Sequence, residues 1–240
     1  MNDVIVALDL PTADEALSLV DLLGDAGGYY KVGAQLYTRA GPDLVRELKD
    51  RDKRVFLDLK YHDIPHTVAR SVEAAAGLEV DMLTVHASGG ASMMEAAREA
   101  AGTDGPVLVG VTLLTSLSAA EVEAVWGKEL LSLRDEVARL AGLAAEADLD
   151  GVVASALEVE NLKRHHGAHF LAVTPGIRPD GNELGDQARV ATPTMAVEAG
   201  ADYLVIGRPI HAAEDPVAAL DAILDEVTAA RAGDAELEAS

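Results

Sequence analysis

The chain has 240 residues, 49% of them hydrophobic and only 3% aromatic, with no cysteine and a net charge of −22. That length supports one large core in a single domain, and the missing thiols exclude disulfides and thiolate chemistry, which fits a cytoplasmic protein. The acidic excess argues against nucleic acid as a partner, no apolar run approaches a membrane span, and Met1-Asn2-Asp3-Val4 lacks the basic start of a signal peptide.

Val4 to Leu8 reads as a first strand ending in Asp9, and Pro11-Thr12 opens a helix through about Leu23. Gly27-Gly28 breaks the chain before a second strand, Tyr29-Tyr30-Lys31-Val32-Gly33. Lys31 stands out there, because a charge inside so short an apolar strand needs a partner or a ligand. A helix from Pro42 to Arg51 precedes a third strand, Val55 to Leu57, after which come Asp58, Lys60 and Asp63. A helix from about Ile64 to Ala76 leads to a fourth strand, Met82 to His86, and Gly89-Gly90 to an alanine-rich helix ending near Ala101.

Pro106 to Leu113 is the fifth strand, followed by Leu114-Thr115-Ser116 and a capping box at Ser118-Ala119-Ala120-Glu121. A helix over about Leu131 to Ala147, a strand Gly151 to Ala154, a helix Val159 to His166 and a strand Phe170 to Val173 come next. The glycine-bearing loop from Thr174 to about Ala191 is too long for a minimal connector. A short helix from Thr192 to Ala199, an eighth strand from Tyr203 to Ile206 and a last helix to about Ala229 complete the order, with a frayed tail expected over 233–240.

Eight alternations of strand and helix in one α/β domain, residues 1–232, point to a (β/α)8 TIM barrel. An open doubly wound sheet is the alternative, but no Gly-x-Gly-x-x-Gly follows the first strand. In the barrel, one rim collects Asp9, Lys31, Asp58, Lys60, Asp63, His86, Thr115, Arg178, Gln187 and Arg208, while the opposite rim offers nothing comparable. Gly207-Arg208 after the eighth strand is a phosphate site by position. The loop bearing Arg178 and Gln187 suits a lid over that phosphate. With so acidic a chain, an anionic substrate needs local cations of this kind.

The segment Asp58-Leu59-Lys60-Tyr61-His62-Asp63-Ile64-Pro65-His66-Thr67 fits the pattern Asp-x-Lys-x-x-Asp-Ile-Pro-x-Thr. With Leu8-Asp9, Lys31-Val32-Gly33, Val111 to Ser116, Thr174 to Arg178, Asp186 to Pro193 and Val205 to Ile210, the chain resembles orotidine 5'-phosphate decarboxylases of the shorter bacterial form over residues 8–210. The resemblance implies a homodimeric barrel without metal or organic cofactor, acting on orotidine 5'-phosphate. By position, Lys60 is then the central catalytic residue, Asp58 faces the substrate carboxylate, Lys31 continues the array, and Asp63 is contributed across the subunit interface. Asp9 and Thr67 meet the ribose (Thr67 also from the other subunit), Thr115 the pyrimidine, and Arg178, Gln187, Gly207 and Arg208 the phosphate.

Three rival functions remain. Related magnesium-dependent barrels share Asp-x-Lys-x-x-Asp, but place a metal-binding carboxylate where this chain has Lys31. His62 and His66 have helical spacing for zinc, yet fall at variable positions of the pattern and read as surface histidines. A barrel that binds without catalysis gives no reason for a lysine between two aspartates. His86, at a strand tip, has no assigned role.

Overall fold

A computed structural model describes residues 3–179 and 190–238. Eight strands form one closed barrel in sequence order: β1 (Val4–Ala7), β2 (Tyr29–Gly33), β3 (Arg54–Tyr61), β4 (Met82–His86), β5 (Val107–Val111), β6 (Gly151–Val153), β7 (Leu171–Thr174) and β8 (Tyr203–Ile206). All neighbours run parallel, and β1 pairs with β8 to close the ring. The helices are α1 (Ala13–Leu23), α2 (Ala34–Ala40), α3 (Pro42–Asp50), α4 (Pro65–Ala76), α5 (Ala91–Ala101), α6 (Ala119–Trp126), α7 (Leu133–Glu146), α8 (Ala156–His166), α9 (Pro193–Glu198), α10 (Arg208–His211) and α11 (Pro216–Glu238).

Two apolar layers account for this shape. Alternate strand residues such as Val6, Val32, Leu57, Leu83 and Leu108 pack outward beneath the helices, and Ile5, Tyr29, Phe56, Met82, Val109, Val173 and Val205 fill the barrel interior. Strands buried on both faces need near-continuous apolar runs, which is how they read in the sequence.

The structure corrects several boundaries. β3 continues through Asp58 and Lys60 to Tyr61, so these residues belong to the strand rather than follow it. The stretch with no assigned element after Gly33 is α2, and one helical turn, α10, precedes the last helix. That last helix runs to Glu238 instead of stopping near Ala229 and takes in most of the expected tail. Its final turns are rich in alanine and glutamate, and one interior glycine costs only about 1 kcal/mol.

The amino-terminal rim is also charged, contrary to expectation. Asp81, Asp150 and Asp202 each precede an even-numbered strand and each accept a hydrogen bond at 2.7 Å from an amide of the strand before it, Val55, Leu108 and Ala172 respectively. Each also pairs with a cation from the helix that leads into that earlier strand: Lys49 of α3 at 2.8 Å, Arg98 of α5 at 2.9 Å and Lys163 of α8 at 2.6 Å. These carboxylates are engaged in holding strand ends, so that rim secures the barrel.

Candidate active site

Side chains alternate across a strand with period two, so the inward phase of the apolar interior dictates what reaches the barrel mouth. One step beyond Ala7 is Asp9; beyond Tyr29, Lys31; beyond Phe56, Asp58 and then Lys60; beyond Met82, Thr84 and His86. The same phase gives Val111 on β5 and Gly207 after β8. The mouth is therefore charged along β1 to β3 and apolar beside β5. A cavity of about 590 Å³ opens there, lined by Asp9, Lys31, Asp58, Lys60, Thr115 and Arg208 among others, a volume suited to a small ligand.

The charged residues form an alternating chain. Lys31 Nζ lies 2.9 Å from Asp9 Oδ1 and 3.8 Å from Asp58 Oδ2, and Lys60 Nζ lies 2.7 Å from the same Asp58 oxygen. Lys31 and Asp58 are each only 9% exposed, so both charges depend on these contacts. Gly33 permits the arrangement: a Cβ there would stand 3.1 Å from Lys31 Nζ and 3.6 Å from Asp9 Oδ1.

Thr84, which apolar patterning does not single out, fixes the centre of this chain. Its fully buried hydroxyl donates to Asp58 Oδ1 at 3.0 Å and accepts from the Lys60 amide at 2.8 Å. Lys60 has a φ of 52°, a left-handed conformation that costs a side-chain-bearing residue about 1–2 kcal/mol. The β3–β4 register shifts between Leu57 and Tyr61 at this point. The irregularity releases Lys60 from the ladder and leaves its ammonium in the pocket, anchored to Asp58. A threonine within the apolar run Met82-Leu83-Thr84-Val85 is the signal the sequence carries for it.

At the other end, Arg178 from the loop after β7 and Arg208 at the start of α10 line the same cavity with Gly207. Arg178 donates from Nη1 to the Ile177 carbonyl at 2.8 Å. Burial, and then the neighbouring Arg208, lower its guanidinium from the ordinary value. Two cations held together against their repulsion favour an anion between them. His211 joins this end of the pocket and was not foreseen; its signal is a histidine one turn beyond Gly207. Gln187 lies outside the described residues.

Asp63 and Thr67 are not brought into this cavity. Both are exposed at the start of α4, where Asp63 Oδ1 accepts from the Ile64 amide at 2.7 Å. Ile64 between them is 65% exposed. His62 and His66 are on the surface as expected, although the His62 ring stacks on His86 with centroids 5.2 Å apart. Burial, then His62 and Lys60, push His86 down to about 4, so it stays neutral beside the array. Among the described residues no three histidine, aspartate or glutamate side chains are placed to hold a metal ion.

A family model described as "Orotidine 5'-phosphate decarboxylase / HUMPS family" matches residues 2–223. A relative from Sodalis glossinidius (strain morsitans), named orotidine 5'-phosphate decarboxylase, is 52% identical over 229 residues, covering 94% of this chain and 90% of its own. One of the same name from Vibrio cholerae serotype O1 is 51% identical over 228 residues, covering 93% and 98%. Among solved structures, the orotidine 5'-phosphate decarboxylase from Lactobacillus acidophilus superposes with a TM-score of 0.83 at 40% identity, covering 93% of this chain and 98% of that one. The one from Pyrococcus horikoshii OT3 gives 0.76 at 25% identity, covering 94% and 99%.

Proposed function

The chain belongs to the orotidine 5'-phosphate decarboxylase / HUMPS family and is a decarboxylase, a carbon–carbon lyase, and we propose that its Lys–Asp array converts orotidine 5'-phosphate to uridine 5'-phosphate and carbon dioxide, with Lys60 as proton donor and without a cofactor. The reaction belongs to pyrimidine biosynthesis. One observation carries the mechanistic reading: Lys60 Nζ ends an alternating run of charges inside a cavity whose far side holds Arg178 and Arg208.

Loss of carbon dioxide from an sp2 ring carbon leaves a carbanion with no easy π sink. A fixed cation beside the developing charge lowers that barrier, and a proton delivered to the carbon completes the reaction. The ammonium of Lys60 supplies both, being compact, flexible and already positioned by Asp58. Asp58 orients the Lys60 ammonium, accepting from Nζ at 2.7 Å, and it stands against the substrate carboxylate. That repulsion raises the bound substrate relative to the transition state. Lys31 shares Asp58 with Lys60 and stops the carboxylate from swinging away.

Arg178, Gln187, Gly207 and Arg208 receive the phosphate, and Thr115 meets the pyrimidine. Binding energy from the phosphate, remote from the reacting carbon, then serves the geometry at that carbon. Asp9 takes the ribose. Asp63 and Thr67 complete the site of a second copy in a homodimer; their exposure beside the exposed Ile64 supports that assignment. The proposed location is the cytoplasm. Among the described residues, no helix is long and apolar enough to cross a membrane.

The test follows ultraviolet absorbance of orotidine 5'-phosphate with purified protein and excess EDTA. Conversion to uridine 5'-phosphate is expected. Folded protein that leaves the nucleotide intact, or that acts only on sugar phosphates with added magnesium, overturns the proposal.

A further inference from the structure

The proposed mechanism leaves two polar side chains of the cavity unused, the exposed Ser116 and the more enclosed His211; His211 is the one with an unsatisfied buried atom. It lies on the single turn of α10, and its ring lines the pocket with Arg178, Gly207 and Arg208. Its Nε2 is enclosed and has no hydrogen-bond partner among the described residues. Buried polar atoms are normally hydrogen-bonded, so the arrangement calls for a cause.

Gly207 marks which groups lie near Nε2. A Cβ at that residue would stand 3.4 Å from Asp9 Oδ2 and 3.7 Å from His211 Nε2. The Asp9 oxygen that Lys31 does not hold and the imidazole nitrogen thus approach the same side of one glycine. The charged groups facing the ring are Asp9 from the end of β1, Arg208 from its own helix and Arg178 from the loop after β7. Burial holds the imidazole below its ordinary range; Asp9 opposes this, and Arg208 and Arg178 add to it. At neutral pH the ring of the free protein is therefore uncharged.

We propose that His211 is a positioning residue that takes up a proton from solvent when the phosphate monoester of a nucleotide enters the pocket, becoming the cation that ties Asp9 to the phosphate end. The inference rests on the functional reading above, in which Arg178 and Arg208 receive the phosphate. A phosphate dianion cancels the repulsion those guanidiniums exert on an imidazolium and leaves the attraction of Asp9. The protonated Nε2 then donates toward Asp9 Oδ2, and the orphaned atom gains its partner. Histidine suits this role because small changes in its surroundings carry it across neutrality. Linkage requires that a ligand favouring the protonated ring bind more tightly as the ring is protonated. Binding of a nucleoside monophosphate therefore draws protons from solution, whereas binding of the nucleoside does not.

Calorimetric titration tests this, with uridine 5'-phosphate and uridine as probes, in buffers of different ionisation enthalpy between pH 7 and 8.5. The proteins are the unmodified chain and His211→Gln, whose amide keeps a donor near Nε2 but does not titrate. The unmodified protein is expected to take up protons with uridine 5'-phosphate and to lose roughly fivefold in affinity across that range, within the tenfold that one pKa unit allows. Uridine and the His211→Gln protein are expected to show neither effect. The phosphate's own ionisation is common to both proteins and cancels in their comparison.

Should His211→Gln fail to fold, ring NMR of the unmodified protein decides, because His211 must titrate at higher pH with uridine 5'-phosphate bound than without it. Absence of proton uptake, equal uptake by His211→Gln, or an unshifted His211 ring overturns the inference. Turnover of orotidine 5'-phosphate is measured on the same preparations. An active enzyme without proton coupling sinks this inference alone, whereas an inactive one sinks the functional reading beneath it.

Discussion

Asp58 is held at both oxygens, by Thr84 at Oδ1 and by Lys60 and Lys31 at Oδ2. A carboxylate so fixed cannot turn from an incoming anion, which is what a repulsive role requires and what a purely orienting role does not. Asp58→Asn separates the two. Turnover falls in either case, because Lys60 loses its counter-charge, but substrate binding tightens only if repulsion operates. We expect binding to strengthen by several-fold, roughly 1 kcal/mol, measured as the inhibition constant of a carboxylate-bearing substrate analogue. Equal or weaker binding refutes the repulsion. Of the residues proposed to carry the chemistry, Lys31 was legible because a charge in an apolar strand must find a partner or a ligand, and Asp58 and Lys60 because they follow an apolar run at the carboxyl end of a barrel strand. Thr84 and His211 were not: each acts through a neighbour supplied by another strand or loop, a relation that spacing along the chain does not encode.

Strand β3 illustrates what an element adds. Its inward phase carries Phe56 into the interior and Asp58 into the mouth, and the irregularity at Lys60 shifts the register before Tyr61 pairs with Val85. Apolar patterning located the strand but ended it at Leu57, since a buried run is recognised by hydrophobicity and the functional end of a barrel strand is polar. Helix α2 escaped for a related reason: seven residues with one buried side chain, Leu36, give no helical periodicity to detect. The β8–α10 junction was legible from Gly207-Arg208. There the backbone passes close to Ala7 and Asp9, and a Cβ at Gly207 would meet the Ala7 Cβ at 3.3 Å. Arg208→Ala is expected to cost about 3 kcal/mol in kcat/KM, near a hundredfold, as the loss of a charged partner to an enclosed phosphate. An unchanged kcat/KM in steady-state assays removes Arg208 from the phosphate site.

Across the whole molecule the two rims divide the work. Aspartates at the amino-terminal rim each satisfy a strand amide and a helix cation, while those at the carboxyl rim share lysines across a cavity. Eightfold alternation made the barrel readable from the chain, but the rims differ in partners, not in composition, so their distinct duties emerge only in three dimensions. The exposed Asp63, Ile64 and Thr67 leave the proposed site incomplete within one chain. Mixing inactive Lys60→Ala and Asp63→Ala subunits should restore about a quarter of full activity, because half the dimers formed are mixed and each mixed dimer has one intact site. Activity remaining at the level of the separate variants contradicts the shared site.

Turnover of orotidine 5'-phosphate by Lys60→Ala, beside the unmodified enzyme in excess EDTA, tests the central claim most directly. Loss of both the fixed cation and the proton donor predicts a fall of at least about 10⁴-fold in kcat, with uridine 5'-phosphate still bound. Turnover within about tenfold of the unmodified enzyme would show that the reaction does not pass through Lys60.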